Sequence, residues 1–226
     1  MSLILKVALA SAAALASTLL ACAPASALVI GAPATGGNYI PFGSVAGFPE
    51  YQQVYLSSDF SGTIEIGDLA FFTVAGGTGT PNPGKFTISL STTSAPVNGL
   101  STNLSQNVGP DSKTVYSAAL PAVQNGVLTI PFSTPFTYDP ADGNLLVDIL
   151  AATPYSGGPA FEFNGSANGV FSRAYSGMTI PVANNSGLVT GFSSVPEPST
   201  WAMMALGFAT LGLVSYRASR KAAVAA

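Results

Sequence analysis

Between Leu28 and Ser194 the apolar residues follow a period of two, and no long stretch shows the three- and four-residue spacing of an amphipathic helix. Residues 85–91 are the plainest case: Phe86, Ile88 and Leu90 alternate with Thr87, Ser89 and Ser91, as on a strand with one face in a core and one in water. Thr63–Ile66 and Ala160–Phe163 repeat the alternation, with Glu65 and Glu162 on the wet side. Residues 51–57, 69–74, 114–118, 127–132 and 145–150 read as further strands, rich in β-branched and aromatic side chains. The last is apolar on both faces, which predicts a central strand. Turn chemistry separates these runs: Gly76-Gly77, Pro81-Asn82-Pro83-Gly84, Asn98-Gly99, Asn125-Gly126, Asp142-Gly143 and Gly157-Gly158. About eight to ten short strands at this spacing predict an all-β fold, an antiparallel β-sandwich with jelly-roll connectivity. The expected ectodomain covers 28–186, and the Gly- and Ser-containing stretch 187–198 reads as a linker.

The two ends carry a different pattern. Lys6 precedes an apolar run from Val7 to Leu20, and Ala25 and Ala27 give the small-x-small spacing that signal peptidase reads. Residues 1–27 are therefore expected to be a secretory signal peptide cleaved after Ala27. A competing pattern, Leu19-Leu20-Ala21-Cys22, loosely resembles a lipobox that would lipidate Cys22. Cleavage after Ala27 is favoured. It removes the single cysteine, and disulfides and thiolate metal sites with it.

At the other end, Trp201 to Tyr216 is almost wholly apolar. Ser199 or Thr200 can cap a helix over 199–218 about 30 Å long, the thickness of a bilayer's hydrocarbon core. Trp201 and Tyr216 fall at its two ends, where interfacial aromatics sit. Arg217, Arg220 and Lys221 form a basic stop that places the tail, 219–226, in the cytoplasm and the ectodomain outside the inner membrane.

Charge narrows the function classes. The ectodomain holds nine carboxylates against Lys85, Lys113 and Arg173, a net of minus six, so phosphate neutralisation and nucleic-acid binding are excluded. The chain has no histidine, which removes His-based triads and His metal sites. No catalytic set and no cofactor is expected. Asp148 interrupts an apolar strand and is the carboxylate to watch, although a hydrogen-bonded structural Asp is favoured. Asp139, Asp142 and Asn144 could offer oxygens to calcium, but their spacing fits no calcium loop and Asp-Pro and Asp-Gly are ordinary turn pairs. Asn103, Asn164 and Asn184 begin N-glycosylation-type triplets, expected here as chance in an Asn- and Ser-rich chain.

Pro196-Glu197-Pro198 stands directly before the apolar run. Two prolines fix φ on either side of one carboxylate and make a stiff, extended epitope. With the helix 201–216 and the cations Arg217, Arg220 and Lys221, this end resembles the PEP-CTERM sorting signal of Gram-negative bacteria. One departure is the broken basic cluster followed by Ala222 to Ala226. The resemblance implies recognition and processing by an exosortase and a setting of exopolysaccharide and biofilm. The middle of the chain looks, more loosely, like the ectodomains joined to such tails, through Phe60-Ser61-Gly62, 88–93 and Asp139-Pro140 leading into 143–149.

The resulting expectation is a non-enzymatic surface or matrix protein, structural or adhesive. Its expected partners are signal peptidase, exosortase, the inner membrane and exopolysaccharide. A carbohydrate-contact version requires exposed aromatics among Tyr39, Phe42, Phe48, Tyr51, Tyr116, Tyr138, Tyr155, Phe171 and Tyr175. The alternatives are a carboxylate-based polysaccharide enzyme, which needs two acids to converge, and a permanently anchored single-span protein.

Overall fold

The computed structural model describes residues 27–33, 36–43, 49–74, 81–152, 157–165, 169–176, 181–195, 204 and 206–212. The chain divides into two units, a body over Ala27–Val195 and a second unit made of Met1–Ser26 and Pro196–Ala226.

The body is built from antiparallel strands. These are β1 (Leu28–Ile30), β2 (Gly37–Asn38), β3 (Glu50–Tyr55), β4 (Ile64–Phe72), β5 (Lys85–Thr93), β6 (Lys113–Ala119) and β7 (Val127–Tyr138). They are followed by β8 (Asn144–Ala151), β9 (Phe161–Asn164), β10 (Phe171–Tyr175), β11 (Val182–Asn184), β12 (Gly187–Leu188) and β13 (Thr190–Ser194). One sheet runs β1-β13-β4-β7, a second β11-β10-β3-β8-β5-β6, and a small third β12-β9-β2.

The alternation read from the sequence explains why these segments pair. Phe86, Ile88 and Leu90 are fully buried, while Thr87 and Ser89 are half-exposed on the other face. They join one core fed from both large sheets: Ile66, Leu69, Phe71, Leu128, Ile130 and Phe192 from the first, Tyr51, Tyr55, Val147, Ile149 and Phe171 from the second. The strand β8, apolar on both faces apart from Asn144 and Asp148, lies between β3 and β5, as its two-sided pattern predicts. Its outer face carries Leu146 into a second cluster with Val54, Ala174, Leu100 and Leu104, where the β5–β6 connection folds over the sheet. Aromatic rings knit the main core edge to face: Tyr55 meets Phe192 at 4.9 Å between centroids and Phe60 meets Tyr138 at 4.9 Å.

Turn chemistry holds at the predicted Asn-Gly pair. Asn125 (φ 51°) and Gly126 (φ 81°) both take left-handed backbone, and Gln124 and Val127 exchange two hydrogen bonds of 2.9 Å across them. This is the primed two-residue turn that Asn-Gly favours.

The structure corrects the sequence reading in several places. Residues 187–195 of the expected linker 187–198 belong to the body: Gly187–Leu188 and Thr190–Ser194 form β12 and β13, and Val195 still donates its amide to the Glu65 carbonyl at 2.8 Å, while 196–198 lie outside the described residues. Leu188, Thr190 and Phe192 alternate inward and are buried, so the period-two signal was present under a Gly- and Ser-rich surface. Gly187 is there for room, since a Cβ would meet the Gln53 side chain at 2.7 Å. The expected strands 63–66 and 69–74 are one strand, β4, whose register shifts between Ile66 and Asp68. β7 runs on past Pro131 and Pro135, which an edge strand accommodates because one side of its backbone needs no partner. Glu65 and Glu162 are half-buried rather than open to solvent.

Of the second unit, residue 204 and residues 206–212 are described; they are helical and exposed. Among the described residues no helix is long and apolar enough to cross a membrane, and the rest of the expected span 199–218 lies outside them.

Candidate functional site

The expected processing residues stand at the borders of the body. Ala27, the residue before the expected signal cleavage, is its first described residue and is exposed; Ala25 and Cys22 lie outside the described residues. Pro196, Glu197 and Pro198 and the cations Arg217, Arg220 and Lys221 also lie outside them. Chain continuity still places the Pro-Glu-Pro tag directly after Val195, a residue hydrogen-bonded into the sheet.

Within the body two acids come together. The β3–β8 register sets Gln52 opposite Asp148 and Glu50 opposite Leu150, so Glu50 and Asp148 are diagonal neighbours on the face turned away from the main core. Gln52 is fully buried between them. Its Nε2 donates to Glu50 Oε1 (3.3 Å) and to the Leu104 carbonyl (3.1 Å), and its Oε1 accepts from Asn107 Nδ2 (2.9 Å). One amide thus fastens the one-turn 3-10 helix Leu104–Gln106 onto the sheet. Asp148 Oδ1 is buried with no hydrogen-bond partner. Burial, and then the charge of Glu50, push Asp148 up to about 6, with the Gln52 hydrogen bond offsetting part of the rise. Burial raises Glu50 as well. The pair can hold a proton in the weakly acid range.

The other acids are accounted for differently. Asp111 Oδ1 accepts from the Thr92 amide (2.7 Å) and Asp139 Oδ1 from the Ala141 amide (2.9 Å), both shaping turns. Asp59 has its Oδ2 buried without a hydrogen-bond partner, and burial raises its carboxyl. The calcium reading loses its third oxygen: Asn144 Oδ1 accepts from the Ser57 amide (2.9 Å), and Asp142 is exposed. Among the described residues no group of three or more metal-ligating side chains forms. Two of the three glycosylation-type asparagines are used internally, Asn164 by Ala32 and Asn184 by Arg173 and Ser186, while Asn103 is exposed.

Among the described residues the expected aromatic platform does not assemble. Phe42, Tyr51, Tyr116, Tyr138 and Phe171 are buried, Tyr175 is half-buried and Tyr39 is exposed; Phe48 and Tyr155 lie outside the described residues. Strand alternation turns most of these rings into the core, which residue type alone does not reveal.

Arg173 is the group that sequence reasoning passed over as one of three scattered cations. It is 7% exposed on the core-facing side of β10, between Phe171 and Tyr175. Its guanidinium carbon stands 4.5 Å from the Phe163 ring centre and 4.9 Å from that of Tyr175. Nε donates to Asn184 Oδ1 (3.1 Å), and Nη1 is buried with no hydrogen-bond partner. Nearby, the Tyr51 hydroxyl donates to Gln53 Oε1 (2.5 Å), and burial pushes that hydroxyl up to about 12 against the pull of the Arg173 charge. The alternation Phe171-Ser172-Arg173-Ala174-Tyr175 was the available signal, because it puts a cation on the aromatic face.

Comparison with known proteins bears on the tail more than on the body. No curated protein matches the chain. Among solved structures, the chain is similar to the cysteine protease and lectin-like domains of Cwp84, a surface layer associated protein of Clostridium difficile, at 8% identity and a TM-score of 0.33. The likeness covers 66% of this chain and 33% of that one, so the chain spans about a third of its length; at that score it carries no argument. Residues 194–221 match the family profile of the PEP-CTERM protein-sorting motif, which begins at the last residue of β13. The chain carries a PEP-CTERM protein-sorting motif at its C-terminal end, the mark of an exported protein that an exosortase processes.

Proposed function

We propose that the body is the cargo of its sorting tail: a structural or adhesive module delivered to the cell surface or extracellular matrix of an exopolysaccharide-producing bacterium. Signal peptidase releases the N-terminus after Ala27. The segment 199–218 then holds the chain in the inner membrane with Arg217, Arg220 and Lys221 inside, until exosortase acts near Pro196-Glu197-Pro198. The match of residues 194–221 to the sorting motif carries this reading. The strand orders β1-β13-β4-β7 and β3-β8-β5-β6 support reading the body as a jelly-roll sandwich, with β10 and β11 added outside β3.

A non-enzymatic role is supported by what lies between the converging acids. A glycosidase leaves the space between its two carboxyls to substrate and water. Here the Gln52 amide fills it and is itself fastened to the loop above. The competing enzyme reading would need Glu50 and Asp148 to reach a sugar past that amide.

Mass spectrometry of the surface and secreted fractions of the native host tests the sorting reading. The wild-type mature form is expected to start at Leu28 and to lack the peptide carrying Trp201. Replacing Pro196, Glu197 and Pro198 together by alanine is expected to leave the Trp201 peptide on the protein and to shift it to the membrane fraction. Surface material that keeps Trp201 in the wild type would instead establish a permanently anchored protein.

A further inference from the structure

Among the described residues one cation is buried with a guanidinium nitrogen left unpaired. Arg173 is more than nine-tenths buried, yet Nη1 has no hydrogen-bond partner. The groups that touch its guanidinium are neutral: Asn184, Phe163, Tyr175 and the Tyr51 hydroxyl, which shares a side-chain hydrogen bond with it. Glu162 lies on the opposite face of β9 from Phe161 and Phe163 by strand alternation. A desolvated charge with an unmet donor is costly, and cation–π contact with two rings supplies attraction without supplying an acceptor. An arginine kept in this condition reads as a site whose occupant is missing.

The surroundings define that occupant. A single guanidinium with no lysine beside it balances one negative charge; a doubly charged phosphate would leave an excess against the apolar ring walls. The planar fork of donors matches a carboxylate. Phe163 and Tyr175 are both half-buried, so the site lies just beneath the surface. Flat aromatic walls suit the body of a sugar better than a bare ion.

We propose that Arg173, flanked by Phe163 and Tyr175 where β9, β10 and β11 meet, is a binding site for a carboxylate group of sugar-acid type, with Nη1 as the donor reserved for it. The proposal extends the surface-module reading by naming a ligand class, but it stands on the body alone. Its failure would leave the sorting reading untouched, because that reading is tested by peptide mapping of the tail.

Thermal unfolding of the full chain in mild detergent supplies the test, with total sodium held constant while chloride is exchanged for acetate or glucuronate. The wild-type Tm is expected to rise on exchange, with glucuronate acting at lower concentration than acetate if the rings contact the sugar. Equal potency would confine the site to the carboxylate group itself. Arg173→Met is expected to abolish the rise. Phe163→Leu and Tyr175→Leu, which keep the apolar packing, are expected to weaken it for glucuronate more than for acetate, and they serve should Arg173→Met fail to fold. A wild-type Tm indifferent to the exchange overturns the proposal, as does a rise that survives in Arg173→Met.

Discussion

Phe192→Ala is expected to destabilise the body by about 3–5 kcal/mol, the range for removing a fully buried aromatic ring. Phe192 is 1% exposed on β13, between β1 and β4. Its ring meets Tyr55 at 4.9 Å and Phe60 at 5.5 Å, so its loss opens a cavity between the two large sheets and strips an edge-to-face partner from each neighbour. A domain of this size is stable by about 5–15 kcal/mol, so the loss is a large share of the whole. Urea unfolding of the full chain, followed by tyrosine fluorescence, reads the change as a lower midpoint at unchanged slope. The result separates two views of this segment. Were 187–194 the linker its composition suggests, the change would fall within about 0.5 kcal/mol, as surface substitutions do. Such a small effect would remove β13 from the core.

That contrast shows where the sequence was legible and where it was not. β5 was readable because its apolar residues alternate and core burial follows the alternation, and β3, β6 and β8 because β-branched, aromatic and aliphatic side chains concentrate in them. β1, β2, β11 and β12 were not, since two or three residues cannot display a period. β10 and β13 were missed for another reason. A cation and a serine in β10, and glycine and serine in β13, masked a real alternation whose inward members, Phe171 and Phe192, are among the largest buried side chains. The Asn125-Gly126 turn was legible because its chemistry is local. The sorting tail was legible for the same reason: tag, apolar run and cations form a linear pattern that needs no partner elsewhere in the chain.

The two candidate sites in the body depend on register, which composition does not encode. Nothing in the order of residues says that Glu50 will lie diagonal to Asp148, or that Gln52 will stand between them; the β3–β8 pairing decides it. Asp148 is visible in the sequence as a break in an apolar run, and the structure buries its Oδ1 without a hydrogen-bond partner. Its partner and its environment came from strands almost a hundred residues apart.

Asp148→Asn is expected to make the body more stable at neutral pH and to flatten its pH dependence. Folding raises the Asp148 carboxyl from 3.8 to about 6, through burial first and then the Glu50 charge. The folded state therefore binds a proton more tightly than the unfolded chain does. The stability this contributes is fully present below pH 3.8, declines as the pH rises toward 6, and is gone above it. A shift of that size corresponds to about 3 kcal/mol at one proton, and solvent screening at a half-exposed site reduces it to about 2 kcal/mol. The asparagine carries no charge at any pH and still offers an oxygen to the Gln52 amide. The variant should match the wild type near pH 4 and exceed it by about 2 kcal/mol at pH 7–8. Glu50, whose carboxyl burial also raises, keeps a smaller slope of the same sign in both proteins. Urea midpoints at pH 4, 6 and 8 measure the difference, and Glu50→Gln should lower the apparent pKa of Asp148 by removing the like charge beside it. Parallel curves for wild type and Asp148→Asn would mean that Asp148 is solvated and that the two acids do not share one buried environment.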